Sequence, residues 1–459
     1  MSKYLLKNVS LVGQAPTDVL ISGEHIVAIG ADAISQLAAA NPSQHLVSAA
    51  EVIDCSGLVA VPGLVDLHTH LREPGFEASE TVLTGTRSAA AGGFTAVHAM
   101  ANTSPVADTA GVVEQVWSLG LAAGFADVAP VGAVTVGLEG KQLAELAAMA
   151  ESRAQVRVFS DDGKCVSDPL LMRRALEYVK AFDGVVAQHA QEPRLTEGAQ
   201  MNEGVVSAEL GLAGWPAVAE ESIIARDVLL AEHVGSRLHV CHLSTAGSVE
   251  IVRWAKARGI NVTAEVTPHH LLLTDELARS YNAVYKVNPP LRTQADVLAL
   301  REALVDGTID IIATDHAPHP DESKDCEWSA AAFGMLGLEI AASVAYDVLI
   351  DSGVSNWQRF AEVLSHNPAQ IGRLSQQGQA LEVGAVANIA LIDPTKRRDA
   401  VSVESKSRNN PYAGLTLGGE VVHTIYRGYF TKRDGSVAKV GRGHTGSLPN
   451  NNSDAKVVN

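Results

Sequence analysis

Cysteine is scarce in this 459-residue sequence, which has four of them, at Cys55, Cys165, Cys241 and Cys326. They are widely spaced and include no CxxC pair, which excludes the disulfide framework of a small secreted protein. No apolar run reaches the roughly 20 residues of a membrane span, and the first residues lack the apolar stretch and cleavage site of a signal peptide. We therefore expect reduced thiols, a cytoplasmic location and no insertion into a membrane.

Basic residues are also in short supply. Lysine and arginine total 35 against 52 aspartates and glutamates, which gives a formal net charge of −17. Proteins that bind the phosphate backbone of nucleic acids present basic surfaces, so nucleic acid is not an expected partner. The composition favours chemistry on a small molecule instead.

The two ends of the chain have a β-like texture. Residues 1–57 contain short β-like runs, such as 19–21 and 26–29 with a turn between them, and no helix is expected there. Similar runs return within residues 376–440, so the two ends are expected to build one small β-sandwich domain. Residues 441–459 are rich in Gly, Asn and Ser without periodicity and are expected to form a disordered tail.

Residues 58–375 differ in texture from both ends. Short runs rich in Val, Ile and Ala alternate there with amphipathic segments of about ten to fifteen residues, which is typical of repeated βα units. Eight alternations over this length favour an α/β fold with a (β/α)8 TIM-type barrel over an open sheet. The eight predicted strands lie at 65–70, 95–100, 127–131, 156–161, 185–189, 238–242, 262–266 and 309–314.

Two of the intervening helices have readable ends. Asp168 is followed by a proline, which is the pattern of an N-cap residue before the first helical position, and it predicts a helix that continues through 170–180. Gly259 is expected to close a helix over 248–258, because glycine commonly follows a helix C-terminus.

Histidines and aspartates end several of the predicted strands. His68 and His70 are two residues apart, so on a strand they project from one face and can reach one metal ion. Each candidate alone has an ordinary interpretation as a turn cap or a loop hydrogen bond. Together they would lie at one rim of the barrel, where nitrogen and carboxylate donors suit zinc or a similar divalent ion. The further candidates are Asp161, Asp162, His189, His242 and Asp315.

Three segments resemble dihydroorotases of the amidohydrolase superfamily. They read HTHLREPG at 68–75, FSDDG at 159–163 and TDHAPH at 314–319. The resemblance is to the long bacterial type and extends over nearly the whole chain apart from the tail. It implies reversible, zinc-dependent hydrolysis of the cyclic amide of dihydroorotate in pyrimidine biosynthesis, with one or two Zn²⁺ per subunit and a homo-oligomer, either a dimer or a tetramer.

The resemblance also implies roles for individual residues. Asp162 would bridge two metals, and Asp315 would contact the first metal and move protons. The implied metal ligands are His68, His70, Asp162, His189, His242 and Asp315.

Three nearby residues need a separate interpretation. The choice of Asp162 over Asp161 rests on the resemblance, because adjacent strand residues face opposite ways. Hydantoinases and dihydropyrimidinases carry a carboxylated lysine at this position, whereas Lys164 follows a glycine in a turn and is expected to be solvated. Cys241 is expected to lie in the core, because strand alternation points it away from the face that His242 uses.

Substrate contacts are expected beyond the ligands. The substrate carries a carboxylate outside its reacting amide, and a planar guanidinium such as that of Arg72 matches a carboxylate with two hydrogen bonds. The resemblance adds Asn102 and His319 as carboxylate contacts. Ala101 stands where the family usually has proline, which loosens the backbone before Asn102. Further segments that match the family are Asn288 and residues 333–337, which line the ring there but could equally be turn formers, and His269 and His270, which are not ligands there.

Two alternatives remain open. One is another cyclic amidase, such as an allantoinase or a hydantoinase, against which Asp162 and Arg72 both argue. The other is a non-catalytic scaffold for an aspartate transcarbamoylase, which would be expected to have lost metal ligands. All six ligand positions are filled here, so an enzyme is favoured, and association with a transcarbamoylase is compatible with it.

Overall fold

Strands and helices alternate along most of the chain. The computed structural model describes residues 3–38 and 50–442, so the predicted tail lies outside the described residues except for Gly441 and Arg442. The strands, in chain order, are β1 (Lys3–Leu11), β2 (Pro16–Ser22), β3 (His25–Ile29), β4 (Glu51–Asp54), β5 (Val59–Pro62), β6 (Leu64–Thr69), β7 (Phe94–Ala99), β8 (Asp127–Pro130), β9 (Val158–Phe159), β10 (Val185–Gln188), β11 (Met201–Asn202), β12 (Gly214–Trp215), β13 (Leu238–Val240), β14 (Val262–Val266), β15 (Ile311–Ile312), β16 (Ile389–Asp399), β17 (Thr416–Tyr426), β18 (Tyr429–Arg433) and β19 (Ser436–Val437).

The α-helices are short on average. They are α1 (Ala31–Ala38), α2 (Val82–Ala91), α3 (Ala110–Ala123), α4 (Leu146–Glu151), α5 (Pro169–Val179), α6 (Val205–Leu210), α7 (Val218–Val234), α8 (Ala246–Ala257), α9 (Pro268–Leu272), α10 (Gln294–Asp306), α11 (Ala341–Tyr346), α12 (Trp357–Ala361) and α13 (Asn367–Ile371). Among the helices of residues 3–38 and 50–442, none is long and apolar enough to cross a membrane.

The two ends of the chain share one nine-stranded sheet. Its order is β19-β18-β17-β16-β5-β1-β2-β3, with β4 paired to β1, and the antiparallel pair β5–β16 joins the two ends. The rings of Tyr4 on β1 and Phe430 on β18 have centroids 4.9 Å apart, although three strands separate β1 from β18 in the sheet order. The sheet therefore folds over on itself around one apolar core, to which Leu6 and Leu391 both belong. This confirms the predicted β-sandwich.

The prediction that residues 1–57 contain no helix was wrong. Helix α1 begins directly after Gly30, whose φ of +72° ends β3. Ala33 is fully buried against Leu5, Leu20 and Ala28, on the face of the sheet away from the sandwich core. The helix has only eight residues, which is shorter than the window over which a helical period can be recognised in a sequence.

Eight parallel strands close into a barrel. Strands β6, β7 and β8 pair in that order, and β9, β10, β13, β14 and β15 form a second group. Parallel bridges between Gly132 and Phe159 and between Thr69 and His316 join the two groups at both edges. Each of the eight predicted strands is present, with bounds that differ by at most two residues at either end, and the (β/α)8 prediction is confirmed.

The barrel interior is packed with apolar side chains. Val185, Ala187 and Ile311 belong to one interior cluster, whereas Val186, between the first two, packs with the larger cluster that includes the surrounding helices. This alternation is what strands with two buried faces require. The packed interior leaves the C-terminal mouth of the barrel as the place for chemistry.

The helix ends follow local capping. The side chain of Asp168 accepts a hydrogen bond from the backbone N–H of Leu171 at 2.8 Å, and α5 begins at Pro169 as predicted. Helix α8 begins at Ala246, two residues before the predicted start, because Thr245 is its N-cap and accepts from the N–H of Ser248 at 3.1 Å.

Candidate metal centre

Four buried side chains meet at the C-terminal ends of β6, β9 and β15. They are His68, His70, Asp162 and Asp315, and their donor atoms lie within 4.8 Å of one another. Nε2 of His70 is 3.3 Å from Oδ2 of Asp162 and 3.0 Å from Oδ1 of Asp315. Nε2 of His68 is 3.4 Å from the same two oxygens.

A second group shares Asp162 with the first. Its other members are His189, directly after β10, and His242, which follows β13. Oδ1 of Asp162 is 3.2 Å from Nδ1 of His189 and 3.2 Å from Nε2 of His242. The two oxygens of one carboxylate thus face different sets of imidazoles, and the structure brings together all six residues that the sequence suggested as ligands.

Hydrogen bonding among the described residues leaves one donor atom of this cluster without a partner and sets two imidazole nitrogens against each other. Nδ1 of His189 and Nε2 of His242 face each other at 2.9 Å. Nε2 of His68 is buried and has no hydrogen-bond partner among the residues that the structure describes. Imidazole nitrogens and carboxylate oxygens that converge in this way are ligands that zinc and similar divalent ions accept. The residues therefore fit a divalent cation.

Glu265 supports this cluster from β14 and was missed in the sequence. Its Oε1 lies 2.6 Å from Nδ1 of His68 and accepts from the N–H of His242 at 3.2 Å, while its Oε2 lies 3.0 Å from Nε2 of His239. A carboxylate behind a ligating histidine fixes the orientation of the ring and raises its basicity. The available signal was a glutamate inside an otherwise apolar strand at 262–266.

Asp66 is a second support that the sequence analysis did not single out. Its Oδ1 accepts hydrogen bonds from the N–H of His68 at 3.0 Å and from the N–H of Thr314 at 3.1 Å. Burial raises the pKa of Asp66 to about 6, although these hydrogen bonds oppose the shift. The side chain ties β6 to the segment after β15, which carries Asp315.

Charge is concentrated in this buried cluster. Burial acts to raise the pKa of Asp315, but His68 and His70 outweigh it and hold that pKa at about 2. Burial also opposes ionisation of Asp162, yet the histidines around it hold its pKa well below the usual value. Both carboxylates are therefore ionised and can act as ligands.

The structure separates the adjacent aspartates by role. Asp161 points away from the cluster and accepts from the N–H groups of Val134 at 2.8 Å and Thr135 at 2.9 Å, so it anchors a loop.

The other two neighbouring residues lie where they were expected. Lys164 is exposed. Cys241 is buried in the barrel interior as expected, but strand alternation is not the reason, because β13 ends at Val240.

Arg72 and His319 lie together beside the cluster. Nε of Arg72 donates to the carbonyl oxygen of Pro318 at 3.1 Å, and Nη2 is 3.3 Å from Nε2 of His319. Nε2 of His319 is also 2.8 Å from the carbonyl oxygen of Phe333. Burial and the charge of Arg72 lower the pKa of His319 to about 3, so the ring is neutral.

Of the two candidate asparagines, Asn102 contacts a candidate ligand directly and Asn288 contacts one through a glutamine. Oδ1 of Asn102 lies 2.9 Å from Nδ1 of His70. Nδ2 of Asn288 donates to Oε1 of Gln191 at 3.2 Å, and that same oxygen lies 2.7 Å from Nε2 of His189. Gln191 was missed in the sequence.

The turn before Asn102 does not need a proline to hold it. The carbonyl oxygen of Ala101 accepts from the N–H of Thr103 at 2.9 Å and from the N–H of Ala107 at 3.0 Å. These two bonds fix the backbone that the substitution of alanine was expected to loosen.

Comparison with known sequences gives consistent matches. A family model described as "Dihydro-orotase-like" matches residues 57–248. The dihydroorotase of Streptomyces coelicolor is 65% identical over 439 residues, covering 95% of this chain and 100% of that protein. The dihydroorotase of Leifsonia xyli subsp. xyli is 67% identical, with 95% of this chain and 97% of that protein covered. The dihydroorotase of Mycobacterium tuberculosis is 54% identical over 88% of this chain and 94% of its own length.

Solved structures with the same architecture are more distant in sequence. The L-hydantoinase (dihydropyrimidinase) from Arthrobacter aurescens matches with a TM-score of 0.81 at 25% identity, covering 96% of this chain and 98% of that one. The dihydropyrimidinase from Brevibacillus agri matches with a TM-score of 0.80 at 24% identity, covering 95% and 96%. The second likeness bears on the fold alone.

Proposed function

This chain belongs to the dihydroorotase family of cyclic amidohydrolases, and from that premise we propose that it hydrolyses the cyclic amide of (S)-dihydroorotate reversibly to N-carbamoyl-L-aspartate, in the de novo synthesis of pyrimidines. The observation that carries the proposal is the identity of 65% over 95% of the chain with a curated dihydroorotase. The cluster around Asp162, with the guanidinium of Arg72 beside it, supplies groups that suit this reaction.

We infer that zinc occupies the cluster, as one or two ions per subunit. The first ion would be held by His68, His70, Asp162 and Asp315, and a second by Asp162, His189 and His242. When bound, such an ion lowers the pKa of water from about 15.7 to about 7 and polarises the carbonyl under attack. The six side chains would bind the positively charged ion, and Glu265 would fix the orientation of the His68 ring.

Asp315 is the proton carrier in this proposal. In hydrolysis its carboxylate takes a proton from the attacking water and delivers it to the amide nitrogen as the C–N bond breaks. In ring closure it takes a proton from the ureido nitrogen as the C–N bond forms and gives it to the departing hydroxide, which leaves as water. The low pKa of Asp315 keeps this group in its carboxylate form at neutral pH, which is the form that can take up a proton.

The substrate carboxylate is assigned to the edge of the site beyond His70. Arg72 presents a guanidinium that can pair with a carboxylate through two hydrogen bonds, and its neighbour His319 is neutral. Asn102 contacts His70 and is assigned to the same carboxylate. Asn288, which donates to Gln191, is assigned to the pyrimidine ring of the substrate. These substrate contacts belong to the proposal.

The alternative functions have less support. Hydantoinases share the fold at 22–25% identity, but the position where they carry a carboxylated lysine holds Asp162 here, and Lys164 is exposed. A non-catalytic scaffold would not need a buried cluster of six side chains that could ligate a metal.

Three properties of the whole protein stay predictions. They are a homo-oligomer, either a dimer or a tetramer, a cytoplasmic location and association with an aspartate transcarbamoylase. Light scattering on the purified protein, alone and mixed with a transcarbamoylase, measures the first and the last.

The test of the proposed reaction is a substrate comparison. Purified protein of known metal content is assayed with dihydroorotate, hydantoin and allantoin, and kcat/KM is expected to be highest for dihydroorotate by at least about 10²-fold. Turnover of hydantoin or allantoin at an equal or higher kcat/KM would reject the proposal.

A further inference from the structure

His269 is a buried histidine beside the metal cluster that no step above uses. It follows β14 in the segment Thr267-Pro268-His269-His270, at the C-terminal mouth of the barrel. Strand β14 lies between β13, which leads to His242, and β15, which leads to Asp315. His269 therefore lies at the barrel mouth between the strands that lead to these two candidate ligands.

Both ring nitrogens of His269 lack a partner. The side chain is fully buried, and neither Nδ1 nor Nε2 forms a hydrogen bond with any part of the chain that the structure describes. Buried polar atoms are rarely left in this state, because an unmade hydrogen bond is costly. Within the part of the chain that the structure describes, the ring thus has unused capacity for a hydrogen bond to a ligand.

His270, the next residue, shows that a histidine in this segment can have hydrogen-bond partners for both ring nitrogens. Its ring is equally buried, but Nδ1 lies 2.8 Å from Oγ1 of Thr267 and Nε2 lies 3.2 Å from the carbonyl oxygen of Pro289. His270 is thus a structural residue that ties the segment to the Pro289 turn. His269, whose ring centroid is 4.5 Å from that of His270, has no such task.

The charge state of His269 suits contact with a neutral group. Burial lowers its pKa to about 4, with the neighbouring histidines acting in the same direction and Asp315 against it. The imidazole is therefore neutral and offers one N–H donor and one acceptor nitrogen. A neutral donor can bind a carbonyl oxygen without adding a positive charge next to the metal ligands.

We propose that His269 is a further catalytic residue, which contacts the substrate by donating its ring N–H to a carbonyl oxygen of the cyclic amide. This inference rests on the proposed function for the identity of the ring, but it requires only that the site takes a cyclic amide. No bond is made or broken at His269, and the hydrogen bond strengthens as negative charge develops on the oxygen.

Two substitutions test the assignment, His269→Leu and His269→Gln. Leucine removes the donor, and kcat/KM is expected to fall about 10-fold to 10²-fold while the metal content stays unchanged. Because no protein hydrogen bond is lost, the Tm is expected to stay the same or rise. Glutamine restores an N–H donor and is expected to recover part of the lost kcat/KM.

His270→Leu is the matched control for stability. It breaks the contacts with Thr267 and Pro289, so its Tm is expected to fall. An unchanged kcat/KM in His269→Leu would overturn the proposal. A lower Tm together with equal losses of kcat/KM in the leucine and glutamine variants would also overturn it, because it would indicate a structural role.

The assay uses whichever cyclic amide the wild-type protein turns over best. A wild-type protein that prefers hydantoin would reject the dihydroorotate proposal and leave the His269 comparison intact. Loss of activity in His269→Leu toward that substrate would still support contact with the amide.

Discussion

Asp315 is the residue at which metal binding and proton transfer can be separated. Its Oδ1 is 3.0 Å from Nε2 of His70, and asparagine keeps one oxygen in place while removing the basic carboxylate. We expect Asp315→Asn to retain bound metal and to lose about 10²-fold to 10⁴-fold in kcat. Metal analysis beside steady-state kinetics checks this, and turnover close to that of the wild type would remove Asp315 from the proton-transfer role.

Glu265 is expected to control metal affinity rather than chemistry. Its carboxylate lies 2.6 Å from Nδ1 of His68, and replacement of a carboxylate behind a ligating histidine weakens metal binding about 10-fold to 100-fold. Glu265→Gln should therefore lose metal to a competing chelator sooner and regain activity when excess Zn²⁺ is added. Partly exposed Glu177, which pairs with Arg173 away from the cluster, supplies the control variant Glu177→Gln. Equal metal affinity in the two variants would contradict the prediction.

Arg72 is expected to act on substrate affinity. A hydrogen-bonded ion pair with the substrate carboxylate is worth about 1.5–3 kcal/mol, which corresponds to about 10-fold to 100-fold in binding. Arg72→Gln should raise KM for dihydroorotate by this amount at unchanged metal content. Arg174→Gln, at an exposed arginine paired with Glu177, is the matched control. A KM like that of the wild type in Arg72→Gln would show that another residue binds the carboxylate.

At the scale of elements, the strands were predictable and their cross-connections were not. Short runs rich in Val, Ile and Ala, alternating with amphipathic segments, indicated all eight barrel strands, because each strand is buried on both faces. Glu265, Asp66 and Gln191 support the ligands through contacts between residues far apart in the sequence, and such contacts leave no local pattern. Strand geometry could not show which of the two adjacent aspartates faces the cluster. The resemblance of short motifs to the family indicated Asp162 rather than Asp161 as the candidate ligand.

The segment between β16 and β17 contacts the loop after β15, which the sequence did not predict. Asn409 in this segment accepts from the N–H of His319 at 3.1 Å and donates to the carbonyl oxygens of Ala317 at 2.9 Å and Gly334 at 3.2 Å. It therefore joins the two arms of the loop after β15. A residue from outside the barrel positions His319.

Buried Glu339 anchors this segment to the barrel. Its carboxylate accepts from the hydroxyl of Ser402 at 2.7 Å and from the backbone N–H groups of Val403, Glu404 and Ser405 at 3.0–3.1 Å. Glu339→Gln weakens these charge-assisted bonds, and we expect the free energy of unfolding to fall by about 1–3 kcal/mol. Urea unfolding measures this, with exposed Glu232→Gln as the control, and equal stability of the two variants would contradict the anchoring role.

At the scale of the whole molecule, one sheet joins the two ends of the chain next to the start of the barrel. Strand β5 leads into β6 and pairs with β16, so the sandwich fixes the entry to the first barrel strand. The sequence predicted this shared domain from returning β texture, whereas helix α1 was missed because its eight residues are too few to show a clear helical period. The barrel in turn brings residues from the ends of five separate strands to one cluster, with Asp162 shared between its two halves.

The most direct measurement follows dihydroorotate turnover as zinc is removed and returned. We expect protein stripped by a chelator to lose activity and to regain it in proportion to bound Zn²⁺, up to one or two ions per subunit, in both the hydrolytic and the ring-closing direction. Fully metallated protein that does not turn over dihydroorotate, or activity that is unaffected by removal of the metal, would contradict a metal-dependent dihydroorotase built on these six residues.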